Sequence, residues 1–119
     1  QMPQGGIDNG EEFFEAAIRE LEEETSIKTV SLIKELDGLT TYLLPDHLVG
    51  IIWKGKYKGQ KQKWFVVRFD GEENEININT KNPEFLDWKW VNIDNLTDEV
   101  VNFKIHVYKE IQRELYKII

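Results

Sequence analysis

The chain has no cysteine, so neither a disulfide frame nor a thiolate-ligated zinc site is open to it. That absence suits a reducing compartment, and a cytoplasmic location is the expectation. Histidine is nearly as scarce. His47 and His106 are the two present, and neither has a second histidine at ligand spacing, so both are read as structural or surface groups. No apolar run is long enough to cross a bilayer, and no signal peptide or lipidation pattern is visible, which leaves no membrane partner to expect. Positive charge is also in short supply, with 15 lysines and arginines against 22 acids and a net charge of −7. Such a balance disfavours an extended groove tracking nucleic-acid phosphates, and DNA is not an expected partner. An anionic substrate has to be met by metal ions or by a few placed cations.

What is present points to a folded globule: 40% of the 119 residues are hydrophobic and 12% aromatic, enough for one compact domain spanning residues 1–119. The opening "QMPQGG" lacks an initiator methionine and reads as the start of a piece whose natural beginning is missing. Glycines punctuate "GGIDNG", where Asn9 followed by Glu12 predicts a capping box opening a helix. "EEFFEAAIRELEEETSI" continues with good helix formers, and Phe14, Ala17, Ile18 and Leu21 recur at helical spacing. β-Branched and aromatic runs then predict strands near residues 29–37, 47–54, 62–69 and 86–92, with a loop or hairpin at 57–63. Trp53, Trp64, Trp88 and Trp90 fall in strand-like runs and are expected to pack in the core or on a sheet face. Ile105, Tyr108, Ile111, Leu115 and Ile118 mark a closing amphipathic helix from residue 102 to 119. The pattern implies an α/β (mixed α+β) fold with a mixed sheet between helices.

The acids of the first helix are unevenly placed. Glu20, Glu23 and Glu24 stand at i, i+3 and i+4, so their carboxylates gather on one face, while Glu22 points elsewhere. The negative end of the helix dipole makes them unwelcome there, and mutual repulsion would keep at least one protonated without a cation. One reading is a solvated face laced by Glu15–Arg19 and Arg19–Glu23 pairs. The other is a hard divalent cation such as Mg²⁺, which takes oxygen ligands and accepts a backbone carbonyl from a glycine-rich loop like the one before the helix.

"GGIDNGEEFFEAAIRELEEETSI" resembles the Nudix box, with Gly5, Glu11, Arg19, Glu20, Leu21, Glu23, Glu24 and Ile27 at the matching positions. Ser26 stands where that family has glycine at the helix exit, so the exit is the place to check. "QMPQGGID", "GQKQKWF", "PEFLDWKWV" and "VVNFKIHVYKEI" extend the resemblance over nearly the whole chain, to the RNA pyrophosphohydrolase branch and its relatives acting on diadenosine polyphosphates. The resemblance implies an α/β/α sandwich that here lacks the family's opening strand region. It implies Mg²⁺, with Mn²⁺ as an alternative, held by Glu20, Glu23, Glu24, the Gly5 carbonyl and Glu84. It also implies Glu24 or Glu84 as general base, and Glu11 and Arg19 as supports of the box. Tyr42, Phe103 and Lys104 would meet the RNA end, an aromatic face offering a stacking platform without a long basic groove. Lys61 and Lys63, on one side of a strand, are candidates for phosphate contacts. The expected reaction is removal of pyrophosphate from 5′-triphosphorylated RNA; a dinucleoside polyphosphate is the alternative substrate. A non-catalytic nucleotide- or protein-binding module of the same fold is the alternative of another class.

Overall fold

The structure, a computed structural model, describes residues 1–48 and 59–119. It is a mixture of helices and antiparallel strands, the α/β class expected from the sequence. The chain divides into two compact units, one built from Gln1–Leu36 and Trp64–Trp90, the other from Asp37–Lys63 and Val91–Ile119.

In the first unit, helix α1 runs Phe13–Thr25. Its start differs from expectation. Gly10 takes a φ of +80°, which breaks the helical path, so Asn9 and Gly10 form a turn and Glu12 becomes the N-cap without a side-chain capping bond. On the inner side Ala16 is buried, and the Phe14 ring meets Phe65 at 5.2 Å between centroids. Strand β1 (Val30–Glu35) pairs with β4 (Phe65–Phe69), Val30 opposite Phe69 and Glu35 opposite Phe65, and a bulge leaves Ile33 without a cross-strand partner. Leu36, buried just beyond β1, donates its N–H to the Trp64 carbonyl at 3.0 Å.

Residues 86–92 form no strand. Alternation alone does not make one; a ladder partner is needed, and the described residues provide none here. Of the tryptophans expected in the core or on a sheet face, Trp64 is half-buried and the last two lie nearer the surface. Trp90 is 60% and Trp88 38% exposed; the Trp90 ring stacks on Phe69 at 5.9 Å and its indole N–H donates to Glu73.

In the second unit, β2 (Thr40–Leu43) pairs antiparallel with β3 (Gly59–Gln62), Thr40 opposite Gln62 and Leu43 opposite Gly59. Of the stretch 57–63, expected as a loop or hairpin, Gly59–Gln62 is therefore strand. Gly59 is required there, because a Cβ would collide with the Tyr42 carbonyl across the ladder. The strand expected at 47–54 lies outside the described residues beyond Leu48, as does Trp53; Asp46–Leu48 is a 3₁₀ turn. Helix α2 runs Ile105–Tyr116 after a 3₁₀ turn at Asn102–Lys104, so the closing helix starts tighter and ends earlier than its apolar spacing suggested. Tyr108 and Ile111 of the expected stripe are buried, together with Val107, Tyr42 and Leu44.

Candidate active site

The box residues lie in the first unit and are organised around Arg19. Its Nε donates to Glu11 Oε2 at 2.8 Å, and Nη2 donates to Glu11 Oε1 at 3.0 Å and to the Gly6 carbonyl at 2.8 Å. Nη1 donates to Glu20 at 2.8 Å and Glu23 at 3.2 Å, and Asp8 stands 3.5 Å from Nε. Bonds to Glu11 and then Glu20 raise the guanidinium pKa, and the same contact holds the Glu11 carboxyl below the usual carboxylate range. Glu11 also accepts the Asp8 N–H at 2.9 Å. One arginine thus ties the glycine loop to α1.

Glu24 is placed differently. Only 4% exposed, it accepts the Gln4 N–H at 2.9 Å. Its carboxyl is pushed up to about 7, first by burial, then by repulsion from Glu20, with Glu84 and Glu23 adding to it against the stabilising Gln4 bond. Glu20, Glu84 and Glu23 thus each act on Glu24 by charge repulsion. Among the described residues no three acids converge closely enough to hold a metal as they stand, because Glu20 and Glu23 are turned onto Arg19. The residues nonetheless fit a hard divalent cation in kind: every donor is a carboxylate or carbonyl oxygen, and the acids around Glu24 carry repulsion that a cation would relieve. The backbone at Gly5 comes so close to Glu20 that any Cβ would overlap its carboxylate, which brings the Gly5 peptide to the same place.

The residues proposed to meet the substrate end belong to the second unit. Tyr42 is 2% exposed, its hydroxyl donates to Gln60 at 2.9 Å, and its ring lies 5.6 Å from Phe103. Lys104 is buried with Nζ 4.9 Å from the Tyr42 ring centroid, and burial lowers its pKa. Phe103 is half-buried and lines an open surface depression with Pro45, His47, Leu48, Val101 and Asn102. Lys61 is exposed on β3; Lys63 lies just past the strand with Nζ 3.4 Å from the Gly38 carbonyl. Of the two histidines, His47 borders the depression and His106 bonds the Thr41 carbonyl at 2.7 Å.

Sequence reasoning missed several members of the arrangement. Asp8, a further acid beside Arg19, was legible as a charge in the loop but not as a partner. The Gln4 N–H that binds Glu24 is a backbone group, for which residue type carries no signal. Ser26 completes the helix exit in the left-handed conformation, φ 67°, with its N–H on the Glu22 carbonyl at 2.8 Å, so serine does what glycine does in the family pattern.

The NUDIX domain family profile matches residues 1–111. The chain is 62% identical over 119 residues to an RNA pyrophosphohydrolase of Pelagibacter ubique, covering all of this chain and 75% of that protein. It is 49% identical to an RNA pyrophosphohydrolase of Azorhizobium caulinodans, over 96% of this chain and 71% of the relative. A Wolbachia protein of the same name is 47% identical, over the whole chain and 74% of its own length. With the box assembled on α1 and the match extending over both units, the chain belongs to the Nudix family.

Proposed function

We propose that this protein is a Nudix hydrolase that removes pyrophosphate from the 5′-triphosphate end of RNA, working as one domain with a bound divalent metal, Mg²⁺ or Mn²⁺. The observation that carries the reading is the 62% identity, over the full chain, to a protein named RNA pyrophosphohydrolase. Glu20, Glu23, Glu24 and Glu84, with the Gly5 carbonyl, would hold the metal, which when bound neutralises phosphate charge and acidifies water. Arg19 keeps the loop and helix in register and neutralises Glu20 and Glu23 when they are not otherwise engaged. Glu24 or Glu84 would take the proton that the attacking water gives up. Water adds its oxygen to phosphorus, the anhydride P–O bond breaks, and pyrophosphate leaves with that bond's electron pair, giving a 5′-monophosphorylated RNA.

On the substrate side, the half-buried Phe103 at the edge of the depression offers the stacking face. The buried Tyr42 ring packs against it at 5.6 Å with Lys104 over Tyr42 in turn, and Lys61 and Lys63 are the candidates for phosphate contacts. The test is a parallel assay of kcat/KM on 5′-triphosphorylated RNA and diadenosine tetraphosphate with added Mg²⁺. RNA is the expected preference; a large preference for the dinucleotide overturns the substrate assignment. Glu24→Gln should lower kcat by roughly a hundredfold or more while the fold is retained. Equal, negligible turnover by wild type and variant would instead mark a binding module.

A further inference from the structure

We propose that Ser26 is a positioning residue: its hydroxyl clasps Asn77 to the end of α1 and so sets where the following loop delivers Glu84. This rests on the hydrolase reading above. The family pattern has glycine at this place, and a serine at a φ of 67° carries a conformational cost that glycine avoids. Something specific to the side chain offsets it. Ser26 Oγ donates to the Asn77 carbonyl at 2.8 Å, and the Asn77 N–H donates to the Thr25 carbonyl at 2.9 Å. Both backbone groups of Asn77 are therefore engaged by two consecutive residues at the helix exit.

The strap around this clasp is organised in the same sense. Two residues earlier, Glu75 accepts the N–H groups of Lys28 and Thr29 at 2.7 and 2.9 Å and the Thr29 hydroxyl at 2.6 Å. Asn77 Oδ1 accepts the Asn79 N–H at 2.9 Å, which turns the chain towards residues 80–84. In that stretch the Thr80 hydroxyl is buried without a hydrogen-bond partner among the described residues, so it adds no polar hold. Glu84 itself is exposed. Where it stands depends on where the loop begins, and at the helix exit it is the Ser26 side chain that fixes Asn77 through its carbonyl. Glycine at 26 would keep the left-handed exit and lose the clasp.

The experiment compares wild type with Ser26→Gly and Ser26→Ala, alone and in a Glu84→Gln background. Ser26→Gly relieves the backbone and should leave Tm unchanged or higher. It is nonetheless expected to lower kcat on triphosphorylated RNA about tenfold with KM little changed, as loss of an outer partner does. Ser26→Ala should lower kcat equally and lower Tm. In the Glu84→Gln background Ser26→Gly should cost nothing further. Amide exchange in the metal-free protein should quicken over residues 77–84 while α1 stays protected. Wild-type kcat and wild-type exchange in Ser26→Gly overturn the proposal, as does a loss that persists undiminished in the Glu84→Gln background. An inactive wild type overturns the substrate reading instead, and exchange then still decides whether the clasp holds the loop.

Discussion

Glu24 has a consequence that can be measured without substrate. Its carboxyl, raised from 4.5 to about 7 by burial and by neighbouring acids, keeps a proton in the folded protein that the unfolded chain has already lost. Between those values the native state binds more protons, so stability falls as pH rises. The contribution is fully present below the ordinary carboxylate range and gone above about pH 7, a span worth on the order of 3 kcal/mol. Urea unfolding of the metal-free protein should show wild type losing stability from pH 5 to 7.5 relative to Glu24→Gln; parallel curves would show that Glu24 is not perturbed. The cluster itself was legible because helical spacing dictates which carboxylates share a face. What spacing does not reveal is that Arg19, one residue from Glu20, takes Glu20 and Glu23 for itself while burial singles out Glu24.

The elements show why some boundaries could be read and others not. α1 and α2 were legible from apolar recurrence, and β1 and β4 from β-branched runs. The opening of α1 was not. A capping box at Asn9 fits the residue types, but Gly10 at φ +80° ends any helical path there, and backbone sign is not written in a spacing rule. Gly10 has open space around the position of a Cβ, so Gly10→Ala should cost only the conformational term, about 1 kcal/mol. Gly6→Ala, equally open and without a positive φ, is the control and should leave the urea midpoint unchanged. The strand assigned to 86–92 failed for a different reason: a ladder depends on a distant partner, which local alternation cannot supply. β2 was missed because a strand of four residues, Thr40–Leu43, is too short to establish a period.

At the scale of the molecule, a net charge of −7 with a polyanionic substrate limits how much of the recognition can be electrostatic. If Lys61 and Lys63 are the cations that meet phosphates, the slope of log(1/KM) against log[salt] should be no steeper than about −1.4 on single-stranded RNA. A markedly steeper slope would show that other cations are engaged. Composition alone makes this legible, since charge balance is a property of the whole chain and needs no folding to be read. The pairing of the described strands into two ladders was not legible, because pairing residues such as Val30 and Phe69 are far apart in sequence.

The aromatic pair beyond Glu84 gives the protein an optical handle of its own. Trp88 and Trp90 meet edge-on, 6.1 Å between centroids at 87°, with Trp90 stacked on Phe69. Indoles this close couple their electronic transitions, so the near-ultraviolet dichroism of the native protein carries a contribution from this one corner. Movement of the segment that bears Glu84 is thereby written into a spectrum, with no label attached.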